Sequence, residues 1–177
     1  MDTHIDIKTQ RIKGFFLDAA KQIILREGVE GVSTRKIAEI AGYSYATIYH
    51  YFKDIDDLLG ETKFLMISDM MVYMQEDANF SVRSVADLKV LFRHYIQYYL
   101  EYPTVFGFFY FYKLPHDNEI QEHFHFDSLW TGTLHFLVEE QLIKEDEIRD
   151  CAITLIYAVH GVLTLFLSGN GPNAKEL

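Results

Sequence analysis

Residues 33 to 53 read Ser33-Thr-Arg-Lys-Ile-Ala-Glu-Ile-Ala-Gly-Tyr-Ser-Tyr-Ala-Thr-Ile-Tyr-His-Tyr-Phe-Lys53. Their spacing predicts two short helices, about Thr34 to Ala41 and about Tyr45 to Tyr51, that cross at close range. Ala38 is small enough to let the helices touch, Gly42 can take the left-handed backbone of the turn, and Ile37 with Ile48 can plug the angle between them. Ser44 is placed to cap the second helix, whose N-terminal dipole and free N–H groups favour phosphate. That helix offers Tyr45, Ala46, Thr47, Tyr49, His50 and Tyr51, followed by Lys53. The surface is rich in hydroxyls and poor in charge. Tyr and Thr hydroxyls can bond phosphate, while an Ala or Thr methyl can touch a thymine methyl in the major groove.

Working outward, Ile12, Phe15, Phe16, Ala19, Ala20, Ile23 and Ile24 recur at the spacing of one helical face, and Glu27-Gly28 closes that helix. This amphipathic helix supplies the third member of a bundle. An ordinary helical hairpin with a solvated tyrosine face would explain the tyrosines alone. It would not explain a small residue, a glycine, plugging isoleucines and a cap at these offsets.

The segment closely resembles the tetracycline-repressor (TetR) family of regulators, above all in Gly31-Val-Ser-Thr-Arg-Lys-Ile-Ala-Glu-Ile-Ala-Gly42 and Thr47-Ile-Tyr-His-Tyr-Phe-Lys53, over about residues 10 to 59. The resemblance implies phosphate contacts by Thr34, Thr47, Tyr49 and Lys53, and base or groove contacts by Arg35, Tyr45, Ala46 and His50. Ile48, Tyr51 and Phe52 are implied to be structural. Two residues depart from the family pattern: Tyr45 stands where many members carry a polar residue, and Ile55 where a lysine often grips phosphate. Loss of that lysine predicts a shallower salt dependence of DNA binding, since each phosphate contact adds to the slope.

Charge is segregated along the chain. The formal net charge is -10, from 16 Lys and Arg against 26 Asp and Glu. Residues 1 to 53 hold eight basic against six acidic residues, and the remainder hold eight against twenty, so a mildly basic tip precedes an acidic body. The N-terminus lacks the pattern of a signal peptide, and one cysteine, Cys151, fits a reducing compartment and a small buried hydrophobe; a cytoplasmic location is expected.

Beyond Lys53 the periodicity is helical throughout, with helices expected at roughly 56–75, capped by Asp54, and at 85–102, 104–114, 119–140 and 145–168. The fold class is therefore all-α: a helix-turn-helix DNA-binding domain over residues 8–53, then a helical regulatory and dimerisation domain over 54–177. The stretch from Cys151 to Ser168 has no charged residue but falls short of the ~20 apolar residues of a membrane span, and a helix buried in a subunit interface suits it better. No membrane partner is expected. The resemblance implies a homodimer formed through the last two long helices, a palindromic double-stranded DNA operator, and an effector that is a small molecule or a protein.

Aromatic residues crowd the body, and a core is their plain reading. His94, Tyr98, Phe109, Tyr112, Phe126 and Trp130 are nevertheless candidates to line an amphipathic pocket between helices. His116-Asp117-Asn118-Glu119 and Glu122-His123-Phe124-His125 hold metal-binding residue types, but His123 and His125 point to different sides of a helix, so a solvated helix start is favoured and neither metal nor cofactor is expected. No phosphate loop, nucleophile elbow or acid–base pair argues for an enzyme. A helical adaptor that no longer uses its helix-turn-helix is the alternative that Ile55 and the low positive charge keep open.

Overall fold

Every regular element among the described residues, 7–74, 81–115 and 126–171, is helical in the computed structural model. In chain order these are α1 (Ile7–Glu27), a 3₁₀ turn (Val29–Gly31), α2 (Thr34–Ala41), α3 (Tyr45–Ile48), α4 (Ile55–Met74), α5 (Val85–Glu101), α6 (Pro103–Tyr110), α7 (Phe126–Leu134), α8 (Phe136–Glu139), a second 3₁₀ turn (Glu145–Glu147) and α9 (Ile148–Leu167).

The chain divides into two compact units. The first comprises Met1–Met70 and Tyr102–Ile120, and the second Met71–Glu101 and Gln121–Leu177. The first unit thus joins α6 to the N-terminal bundle. Its core is Phe16, Ala19, Ala20 and Ile23 of α1, Ile37 and Ala38 of α2, Ile48 of α3, then Phe52 and Leu58. Spacing of three and four residues in α1 puts its apolar stripe on α2, and removing such side chains from water is the main stabilising term. Phe15, expected on that stripe, lies at its edge and is 41% exposed. The stripe is narrower than the pattern suggested because the adjacent Phe16 already fills the space against Phe52 and Tyr51. At the other end of the unit, the Thr104 hydroxyl of α6 donates to the Leu25 carbonyl of α1 at 3.2 Å, meeting one of the carbonyls a helix end leaves unpaired.

The second unit is built around aromatic rings. Ser84 and Asp87 form a cap at the start of α5: the Ser84 hydroxyl accepts from the Asp87 N–H at 3.2 Å, and the Asp87 carboxylate accepts from the Ser84 hydroxyl at 2.8 Å and the Arg83 N–H at 3.1 Å. These bonds, that from Ser84 foremost, hold the Asp87 carboxyl below its usual range. From α5, Tyr95 and Tyr99 are fully buried and pack edge to face. Trp130 of α7 lies parallel to Phe92 with ring centroids 5.3 Å apart and perpendicular to Tyr95 at 5.5 Å. The Tyr95 hydroxyl lies 2.6 Å from His160 Nε2 of α9. Burial pushes His160 down to about 4, so its imidazole is neutral at pH 7.

Three expected helices differ in extent. The second helix of the recognition pair ends at Ile48, after which Tyr51 and Phe52 both donate to the Ile48 carbonyl, at 2.9 and 3.0 Å. The helix expected to reach residue 114 stops at Tyr110, because the Phe111 and Tyr112 N–H groups both turn back to the Gly107 carbonyl. The helix expected over 119–140 breaks at His135 into α7 and α8, and its first part, with the His116 to His125 cluster, lies outside the described residues.

Candidate nucleic-acid interface

The turn between α2 and α3 follows from two residues. Ser33 caps α2, its hydroxyl accepting from the Lys36 N–H at 3.3 Å. At the other end Gly42 adopts φ 76 and ψ 28, its N–H reaching the Glu39 carbonyl at 3.3 Å, and the Tyr43 N–H reaches the Ala38 carbonyl at 2.9 Å. This is a Schellman end, which a residue bearing a Cβ enters at a cost. Ile37 and Ile48 are fully buried and plug the angle, with Ala38 3% exposed beside them. α3 is thereby carried on a rigid floor.

Ser44 sits at the cap position of α3 with extended backbone, but its hydroxyl bonds the Thr47 hydroxyl at 2.8 Å and not a backbone N–H. This corrects the expected cap: the two hydroxyls are spent on each other, and the Ser44 side chain closes no backbone N–H of the helix. The Thr47 N–H is closed by the Ser44 carbonyl at 3.0 Å.

The nine candidate contacts all reach the surface. Arg35, Ser44, Tyr45, Ala46, Tyr49, His50 and Lys53 are exposed, and Thr34 and Thr47 are half-buried. Ile48 and Phe52, interleaved with them, are buried, and Tyr51 is half-buried with its ring 6.0 Å from Phe16. The departure at residue 55 has a structural reason. Ile55 packs against the core, while Asp54 caps α4 by accepting from the Asp57 N–H at 2.9 Å, and Asp57 in turn accepts from the Lys53 N–H at 2.9 Å.

Ion pairs decide how many cations remain for phosphate. Lys13 meets Glu61 at 2.6 Å, Lys21 meets Asp69, and Lys36 meets Glu27. Three of the basic residues counted in the tip are thus matched by carboxylates. Arg35 and Lys53 carry no side-chain ion pair among the described residues.

The residues expected around a pocket divide between the units. His94, Tyr98 and Trp130 belong to the second, and Phe126 opens α7 there with its side chain outside the described ones. Phe109 and Tyr112 belong to the first. Burial, then the carboxylates of Asp56 and Glu30, push the Tyr112 hydroxyl up, so it stays a proton donor. Trp130 is 4% exposed, and its indole N–H has no hydrogen-bond partner among the described residues.

Sequence reasoning passed over Tyr43 and took Phe15 only as part of the apolar stripe of α1. Their rings stack with centroids 6.3 Å apart directly before the cap of α3. The signal lay in Arg11 and Phe15, a cation and a ring four residues apart on one helix.

A helix-turn-helix completed by α1 into a three-helix bundle, with its polar residues outward and its plugs inward, has the form of a DNA-binding domain. Residues 16–62 match the family described as bacterial regulatory proteins, tetR family, so this chain carries a TetR-family DNA-binding domain at its N-terminus. No curated protein matches the chain. Among solved structures, a regulator from Rhodococcus sp. assigned to the TetR family superposes with a TM-score of 0.69 at 18% identity, covering 92% of this chain and 90% of that one. The fatty acid degradation regulator FadR from Bacillus halodurans gives 0.67 at 19% identity, covering 93% and 86%. FadR from Bacillus subtilis, solved with stearoyl-CoA, gives 0.64 at 20% identity, covering 89% and 88%. These likenesses extend the fold over both units.

Proposed function

We propose that the protein is a cytoplasmic, homodimeric repressor that holds a palindromic operator through α2 and α3 and lets go when an effector binds the helical body. One observation carries this reading: all nine candidate contacts, Thr34, Arg35, Ser44 to Thr47, Tyr49, His50 and Lys53, reach solvent around a turn whose hydrophobic plugs are fully buried. In this reading residues 8–53 bind DNA and 54–177 regulate and dimerise.

The dimer rests on α9. Thr154, Tyr157, Ala158, Gly161, Val162 and Leu165 recur at intervals of three and four residues and are all exposed in the single chain, Tyr157 by 68% and Leu165 by 49%. By length and composition this helix would also pass for a membrane span. A second copy packed on its apolar face accounts for the exposure, and Gly161 lets the backbones come close. A dimer needs its two recognition helices about one DNA turn, ~34 to 36 Å, apart, so a small change in the body spoils simultaneous docking. A difference of ~1 to 3 kcal/mol between states changes affinity ~5- to 150-fold.

The effector reading is supported by the ring-lined second unit with its buried Trp130 N–H, unpartnered among the described residues, and at the level of fold by the FadR structure that holds stearoyl-CoA. An apolar ligand with a hydrogen-bond acceptor suits such walls.

The test is binding of the purified protein to DNA from immediately upstream of its own coding region across a salt series, beside a Thr47→Ala and Tyr49→Phe double variant. Selective, salt-dependent binding that the variant loses by about 10- to 100-fold supports the proposal. Absence of selective binding at low salt overturns it and favours an adaptor.

A further inference from the structure

We infer that Arg11, outside the helix-turn-helix, is a further DNA phosphate contact, held in place by a column of two rings that ends at the recognition turn. The inference rests on the DNA-binding reading above.

The Arg11 guanidinium lies 5.9 Å from the centroid of Phe15, one turn along α1. Phe15 in turn stacks on Tyr43 at 6.3 Å and 29°, and Tyr43 also packs against Phe16 of the core at 5.3 Å. Tyr43 is fixed by the Schellman bond to Ala38 and immediately precedes Ser44, the cap position of α3. Core, Tyr43, Phe15 and Arg11 thus form one continuous support that begins beside the recognition helix. Large rings are normally withdrawn from water, yet Phe15 and Tyr43 stay 41% and 36% exposed. Their open faces give a long, flexible cation a surface to lie on.

Charge bookkeeping points the same way. Lys13, Lys21 and Lys36 are matched by Glu61, Asp69 and Glu27, whereas Arg11 is exposed and carries no ion pair among the described residues. Arginine stacked on an aromatic face keeps its N–H fork directed outward and loses less side-chain freedom when phosphate arrives. The cation that residue 55 lacks, because Ile55 is turned into the core, is supplied here from α1. Arg11 lies before the residues 16–62 that match the family.

The test compares wild type with Arg11→Ala, Arg11→Lys and Phe15→Leu on two probes: the upstream operator duplex and a mixed-sequence duplex of equal length, each across a salt series. A phosphate contact is blind to sequence, so Arg11→Ala should weaken both by roughly five- to tenfold at low salt and lower the salt slope by about one. Arg11→Lys should restore the slope, and Phe15→Leu should weaken binding less than Arg11→Ala with the slope kept. Circular dichroism of each variant checks that the helices stay intact. Wild-type slope and affinity in Arg11→Ala, alongside a Thr47→Ala and Tyr49→Phe variant that has lost binding, would overturn this inference while leaving the function standing. Failure of the wild type to bind either duplex removes both.

Discussion

Around the recognition turn of the first unit the bonds that set geometry span three to five residues: Ser33 with Lys36, Ala38 with Tyr43, Ser44 with Thr47, Asp54 with Asp57. In the second, the Tyr95 hydroxyl meets a histidine 65 positions away, and Phe92 stacks on Trp130 from another helix. The first arrangement is written locally, in caps, a left-handed glycine and short plugs. The second exists only once distant helices have packed. Short-range bonds fix the shape of the first region before the rest of the chain has packed, whereas the second takes its shape only from packing between distant helices.

The comparison is tested most severely by emptying each core. Phe16→Ala should cost about 3–5 kcal/mol and Leu134→Ala about 2–5 kcal/mol in urea unfolding, since both side chains are fully buried. A loss under about 1 kcal/mol at either site would show that the packing there is not as described. Next comes the face of α9: Gly161→Arg should weaken self-association about 100-fold in sedimentation equilibrium, because a charge would be trapped between apolar helices. An unchanged dimer would move the interface elsewhere.

Gly42→Ala sharpens the local side of the contrast. Forcing an L side chain into φ 76 should destabilise by about 1–2 kcal/mol and weaken DNA binding in parallel, although nothing lies within 4 Å of the added methyl. On the long-range side, acid is the probe. The folded state holds His160 at about 4 while the unfolded chain titrates at the ordinary histidine value, so the unfolded state takes up the proton first as pH falls. Melting temperature should drop by a few degrees between pH 7 and 5, and His160→Gln should flatten that dependence. The smallest effect expected is from the Lys13–Glu61 pair, half-exposed on both sides, where a double-mutant cycle should return about 0.2–1 kcal/mol.

Legibility from sequence follows the same division. Gly42 and Asp54 could be assigned because each acts on residues within about a turn of itself, and Ile37 and Ile48 because one short turn brings their helices together. Ser44 misled: a cap residue was expected to bond the backbone, and the neighbouring Thr47 hydroxyl competed for it. Ile55 was seen as a missing cation, and only packing shows it as part of the core. In the body, helical periodicity gave elements but not partners. No spacing rule connects Tyr95 with His160, and none separates Phe109 and Tyr112, which belong with the recognition bundle, from His94 and Trp130, which do not. The face of α9 expected to lie in a subunit interface is exposed in the single chain, and its cover belongs to the proposed dimer.

The chain has a single tryptophan, and it sits in the ring cluster of the second unit. Its emission therefore reports on the body alone, while the recognition unit holds tyrosine and phenylalanine only. An effector that approaches the indole will change colour or intensity without any label, and DNA engaging α3 will be seen there only to the extent that the message crosses the molecule. The protein thus carries a built-in optical reporter confined to one of its two units.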